Sequence, residues 1–387
     1  MWDVIAILGA TALVLFAQLD VFSLYDGMIT VEGDTGKENY GILQEYPEVT
    51  DFVCPTCRRH FSSYDHCHRH AELRNHNRSS IFCEYSLHGL PKCERSARPL
   101  EEDYAFGSCC FSGRKRTMED IHWVSSYDIT PKETVSSPVI YGLCDGHLGT
   151  NAARFLASQL ETFLLMRNHD RLPTPNDLRN AFRSARDSYL HDYCYSGDIS
   201  GSTSTILIKN QNELIIANIG DSSAYVCCDE NGNPIPVTYS HRVSNAVEKQ
   251  RVLASGARIK DERLFGQLAL SRSFGDCPFS SFLSVEPFIY TLKRDGALHR
   301  YVILASDGVW DFLSIQEATD IVNHVLNEKI SLFTDHFVSL TPHILKRVTA
   351  KGLRKLLDRA SMLISYEAYV RGSNDNICTM VISLRGE

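Results

Sequence analysis

Beyond residue 100, apolar residues come in short unbroken runs that stop abruptly at an acid. PVIYGLCDGH runs through an apolar stretch to Asp145, ELIIANIGD to Asp221, and RYVILASDG to Asp307. NICTMVISL starts immediately after Asp375, and HWVSSY follows the acidic pair Glu119–Asp120. Runs of this kind, rich in β-branched and aromatic residues and bounded by Gly and Asp, predict strands. Between them the apolar spacing changes to three and four. TNAARFLASQLETFLLM sets Ala153, Leu156, Leu160 and Phe163 on one face, and DLRNAFRSARDSYL does the same with Leu178, Phe182 and Tyr189, so both predict helices. Ser314 and Glu317 have capping-box spacing, which opens another helix after Leu313. A last long helix is expected over much of 340–367. The alternation of strand and helix by itself suggests α/β and cannot separate a sandwich from a parallel sheet.

The N-terminal quarter has a different texture. Val4–Leu19 carries no charge, and Val21 and Phe22 extend the apolar run past Asp20. It falls slightly short of the roughly 20 residues that span a bilayer. No Lys or Arg precedes it, which counts against a cleaved signal peptide, and none follows before Lys37, so no orientation is set. The preferred reading of 1–23 is a signal anchor that makes the protein membrane-associated through one N-terminal segment. Passage through the secretory pathway after cleavage, or a buried helix, are the alternatives. Residues 24–50, with scattered glycines and acids and no period, read as a linker.

Residues 51–95 concentrate five of the 13 cysteines (Cys54, Cys57, Cys67, Cys83 and Cys93) and six of the 15 histidines. That mixture favours metal binding over a disulfide framework, which would need no histidine. Cys54-x2-Cys57-x12-His70-x5-His76 matches two-Cys, two-His zinc-finger spacing and predicts one structural Zn²⁺. A single finger offers too little contact area for useful DNA affinity. The net charge of −8 gives no basic surface field. The segment is therefore read as a docking site for a protein partner, with no nucleic acid expected. Elsewhere, Cys144 and Cys378 sit inside apolar runs and read as small buried hydrophobes.

The acids at the strand ends carry the chemistry. One Asp at a strand end is only a turn signal, but here several strands share the feature. If those ends converge, the carboxylates repel and at least one must stay protonated unless a cation relieves them. Oxygen-only ligands select Mg²⁺ or Mn²⁺ over zinc. Two such ions can lower the pKa of a shared water and orient it toward phosphorus.

GRKRTMED (113–120), CDGHLGTNAARF (144–155), GSTSTILI (201–208), ANIGDSSAYV (217–226), GQLALSRSFGD (266–276), ASDGVWD (305–311) and GSNDNICTMVI (372–382) resemble, in order and wording, the protein phosphatase 2C family. The resemblance implies an α+β fold over 100–387: two packed antiparallel β-sheets flanked by helices, preceded here by the small zinc-finger-like segment. It implies hydrolysis of phosphoserine and phosphothreonine in phosphoprotein substrates by a hydroxide bridging two Mg²⁺ or Mn²⁺ ions. By the same resemblance, Asp145 bridges both ions, Gly146 offers its carbonyl, and Glu119 acts through metal-bound water. Asp307 and Asp375 hold the second ion, and Asp120 hydrogen-bonds bound water. Asp221 and Asp311 surround a weaker third position, and His147 is the general acid. The alternative is a weak or inactive phosphatase-like adaptor that docks partners through its Cys/His segment, but a dead enzyme should have lost ligands that this chain keeps.

Two departures from the family pattern stand out. Lys115, between Arg114 and Arg116, occupies the place of an arginine that grips the substrate phosphate, and lysine lacks the planar fork. Either Lys115 serves or a neighbouring arginine swings in, so activity is expected with weakened substrate affinity. Ser240-His241-Arg242 replaces an Asp-His-Lys sequence, which bears on substrate preference.

Overall fold

In a computed structural model of the chain, the acid-terminated runs are indeed strands, and they assemble edge to edge into two sheets. The structure describes residues 105–127, 137–166, 171–228, 233–296, 298–331 and 350–384. It also describes three two-residue strands, Phe52–Val53, His60–Phe61 and Glu84–Tyr85, paired antiparallel with the first in the middle. The apolar run of 4–19, the linker and the proposed zinc ligands Cys54, Cys57, His70 and His76 lie outside the described residues. Among the described residues no helix is long and apolar enough to cross a membrane.

Ten strands build the sandwich. They are β1 Phe106–Phe111, β2 Ile121–Ser126, β3 Val139–Cys144, β4 Ser204–Lys209 and β5 Glu213–Ile219, followed by β6 Ser223–Cys228, β7 Ile235–Pro236, β8 Phe288–Lys293, β9 His299–Ala305 and β10 Ile377–Ser383. One sheet runs β8-β5-β4-β3-β2 and the other β7-β6-β9-β10-β1, and every neighbouring pair is antiparallel. The helices are α1 Asn151–Leu165, α2 Pro175–Asp192, α3 Ala246–Ala254, α4 Asp307–Trp310, α5 Ile315–Ser331 and α6 Ala350–Val370. The last is described from Ala350, within the span expected for it, and runs past 367; residues 340–349 lie outside the described residues. Thr174 and Asp177 close a capping box on α2, and Ser314 and Glu317 exchange the bonds expected of them at the start of α5.

Why the central strands are apolar on both faces follows from the layering. Tyr141, Leu207, Ile216, Val226, Leu304 and Met380 meet between the sheets. Their sequence neighbours point outward: Ile140, Ile206 and Ile215 pack under α1 and α2, while Ile303 and Val381 pack under α5 and α6. A strand covered on both faces has no polar alternation, which is the pattern ordinarily associated with parallel sheets. The helical faces read from spacing hold: Ala153, Leu156, Leu160, Leu178, Phe182 and Tyr189 are buried, and Phe163 is partly so. Cys144 is a buried free thiol. Cys378 is not a simple hydrophobe, because it is disulfide-bonded to Cys110, directly opposite on β1. A second disulfide joins Cys194 and Cys277.

Candidate active site and metal centre

The candidate acids collect where connections leave the strands. Asp145 follows β3, Asp221 sits in the tight turn between β5 and β6, and Asp307 opens α4 directly after β9. Their carboxylate oxygens lie within 4.8 Å of one another. Asp311 is four residues beyond Asp307, so the two share one helix face. Asp120, immediately before β2, is buried behind this group at 4% exposure, and neither of its oxygens has a hydrogen-bond donor.

Backbone contacts fix this convergence. Thr203 donates its N–H to the Asp145 carbonyl (2.8 Å), accepts from the Asp145 N–H (3.1 Å), and bonds Ser222 next to Asp221 (2.9 Å). Asn376 clamps the opposite wall. Its Nδ2 donates to the carbonyls of Ser112 and Thr117 (both 2.9 Å), and its Oδ1 accepts from the Glu119 N–H (2.7 Å). Two glycines permit the close approach this clamp requires. A Cβ on Gly113, whose φ is +62°, would strike the Asp375 carbonyl, and one on Gly308 would strike that of Asn376.

Crowding raises the proton affinity of the acids. Burial, reinforced by repulsion from Asp307 and Asp375 and opposed by the nearby Ser306 hydroxyl, which does not reach hydrogen-bonding geometry, pushes Asp120 up to about 8. Burial and then Asp120, Asp307, Asp221 and Asp375 lift Asp145 well above the carboxylate range. Asp307 rises to about 7 through burial and the charges of Asp221 and Asp311. A buried carboxylate without a donor next to others is a poor arrangement for stability alone and a good one for a hard cation. The donor set fits Mg²⁺ or Mn²⁺.

The cations at the rim divide by role. Lys115 Nζ pairs with Asp375 Oδ1 at 3.2 Å, with both side chains about half exposed. Burial opposes the Lys115 charge, but Asp375, Glu119 and Asp145 outweigh it, so its pKa is raised. Arg114 is committed elsewhere: it donates to the Ser373 carbonyl (2.9 Å) and stacks its guanidinium over the Tyr369 ring at 4.8 Å. Arg116 is exposed. Glu119 accepts from the Gly149 N–H (3.1 Å) and from the Thr117 hydroxyl (3.3 Å).

A small sheet of Gly146–His147, Gly201–Ser202 and Phe274–Gly275 carries His147 toward Asp276. Asp276 is 1% exposed and left-handed at φ 45°, and its Oδ1 lies 2.7 Å from His147 Nε2. Burial pulls the imidazole toward neutrality. Asp276, Asp221 and Glu119 overcome this, so the His147 pKa is raised. Sequence reasoning missed three contributors. Asp276 was visible as the last residue of GQLALSRSFGD without a role, and Asn376 lay inside GSNDNI. The third is Arg242, noticed as a departure, whose guanidinium reaches Asp221, Asp307 and Asp311.

A family model for Protein phosphatase 2C matches residues 104–376. The chain belongs to the protein phosphatase 2C family. It is 30% identical over 286 residues to protein phosphatase 1L of Bos taurus, covering 70% of each chain. It is 33% identical over 236 residues to protein phosphatase 2C homolog 2 of Saccharomyces cerevisiae, a match spanning 58% of this chain and half of the yeast protein. Among solved structures, a sex-determining protein of C. elegans superposes with a TM-score of 0.58 at 20% identity, covering 81% of this chain and 70% of that one. A serine-threonine phosphatase 2C of Toxoplasma gondii gives 0.52 at 18%, covering 76% and 96%. At those identities the likeness concerns the fold, and it matches the antiparallel sandwich. Membership makes 104–376 a domain of the serine/threonine phosphatase type.

Proposed function

We propose that the domain hydrolyses phosphoserine and phosphothreonine esters on proteins, with Mg²⁺ or Mn²⁺ as cofactor. The observation that carries this reading is the convergence of Asp145, Asp221 and Asp307 in front of a buried Asp120 that has no donor. Asp145, Asp307, Asp375 and the Gly146 carbonyl would hold two ions, with Glu119 and Asp120 acting through their water and Asp221 and Asp311 flanking a third position. When bound, the ions supply an activated water for attack on phosphorus and neutralise the acids.

The chain's own groups do the rest. An alkoxide is a poor leaving group, so the seryl or threonyl oxygen needs a proton as its bond to phosphorus breaks. His147, whose protonated form is favoured by Asp276 at 2.7 Å, would give it. Lys115 offers the phosphate a point charge without the bidentate geometry of arginine. Arg114 takes no part, being held by Ser373 and Tyr369.

The experiment is turnover of a phosphothreonine peptide in chelator and after Mn²⁺ addition, alongside His147→Gln. Activity should vanish in chelator and return with Mn²⁺. His147→Gln should slow the peptide about 10²-fold but p-nitrophenyl phosphate, whose leaving group needs no proton, far less. Full activity in chelator ends the reading, and phosphopeptide binding without turnover favours an adaptor. For the N-terminal quarter, sequence pattern alone supports a membrane anchor at 4–19 and a zinc-held docking segment at Cys54, Cys57, His70 and His76.

A further inference from the structure

Three acids face the third metal position, and the chain already brings a cation to them. Arg242 Nε donates to Asp221 Oδ2 at 2.7 Å. Its Nη2 donates to Asp307 Oδ2 at 3.1 Å and to both oxygens of Asp311, at 3.0 and 3.2 Å. One planar guanidinium thus spans acids that come from the β5–β6 turn and from both ends of α4.

This is not a surface side chain that settled on the nearest charge, because its backbone is pinned on both sides. His241 donates its N–H to the Gly220 carbonyl (3.0 Å), one residue before Asp221. Ser271 donates to the His241 carbonyl (2.8 Å), Val243 to that of Ala269 (2.7 Å), and Arg242 itself bridges to Leu270. The Arg242 side chain is one-third exposed, while Asp221 beneath it is almost fully buried. A divalent ion using the same oxygens must displace the guanidinium, since both need the same lone pairs. Because Arg242 is covalently attached, its effective concentration at the acids is high and does not fall on dilution.

We propose that Arg242 is a tethered cation standing in for a third metal ion at Asp221, Asp307 and Asp311, so that a third ion binds only by displacing it. The proposal rests on the two-ion phosphatase reading and adds that this chain supplies its own charge where an extra ion would sit. Arginine suits this use better than lysine: its fork serves three acids at once, whereas an ammonium is a point charge.

Mn²⁺ binding decides it, counted from the free-ion electron paramagnetic resonance signal as Mn²⁺ is added to chelator-stripped full-length chain at fixed ionic strength. Native protein should bind two ions tightly and a third only weakly. Arg242→Ala should tighten the third by about tenfold or more, as loss of charge-assisted hydrogen bonds implies, and leave the first two little changed. An unchanged or weakened third ion in Arg242→Ala overturns the proposal, as does tight binding of three ions by the native chain. Should Arg242→Ala not fold, Arg242→Lys decides: partial tightening supports the proposal and none overturns it. Two ions bound in both proteins with no effect on the third would end this inference alone. No Mn²⁺ bound in either would end the phosphatase reading with it.

Discussion

Two buried acids in this domain have opposite surroundings. Glu248 on α3 is 1% exposed and saturated: Arg251 reaches its Oε2 at 3.1 Å, the Ser271 hydroxyl donates at 2.7 Å, and Arg272 pairs with its Oε1 at 2.5 Å. Its carboxyl is lowered to about 2; burial opposes this, and the bonds from Arg272 and Ser271 dominate. Asp120 is nearly as buried, has no donor, and is raised to about 8 by burial. Three side chains bond Glu248, whereas Asp120 has only the Ser306 hydroxyl nearby and no bond formed to it. On the proposed reading, an acid that serves the fold comes with its partners, whereas one that would serve a cation is left needing one.

The sharpest break of that contrast is catalytic. Asp145→Asn or Asp307→Asn should lower kcat on the order of 10³-fold while leaving circular dichroism unchanged, because each removes charge that only a cation needs. Glu248→Gln should do the reverse, retaining metal-dependent chemistry in the folded fraction but costing about 3 kcal/mol in urea unfolding, as expected for a broken buried ion pair.

Titration of stability should also run in opposite directions. The folded chain holds a proton on Asp120 that the unfolded chain has released above 3.8, so this contribution is present at low pH and lost as pH rises through about 8. The melting temperature of chelator-stripped protein should therefore fall between pH 5 and 8, and Mn²⁺ should flatten the slope. Glu248 contributes above its ordinary 4.5 and loses that contribution as pH falls toward 2. The smallest effect belongs to the exposed Lys115–Asp375 pair. Lys115→Ala should raise KM for a phosphopeptide by about threefold to tenfold, and Lys115→Arg should lower it below the native value.

What the sequence disclosed follows from distance along the chain. A strand that ends in Asp is a local pattern, so Asp145, Asp221 and Asp307 were legible, and so were the helix caps at Ser314 and the faces of α1 and α2. The sheet type was not, because strands such as Val139–Cys144 are buried on both faces and carry no alternation to read. Partnerships formed across the fold were hidden too. His147 meets a residue 129 positions away, and Arg242 meets acids 21, 65 and 69 positions off. Neither spacing carries a local periodicity. The fate of Arg114 depended on a Tyr369 ring that only α6 brings near.

The sandwich also closes on itself: β10, the last strand, supplies the single sheet neighbour of β1, the first. A nascent chain therefore cannot complete this sheet until Ile377–Ser383 leave the ribosome, and β1 must wait through the synthesis of everything between. A premature stop before Ile377 would leave that early strand with its edge groups open to other chains, so early termination should produce aggregates instead of a slower enzyme.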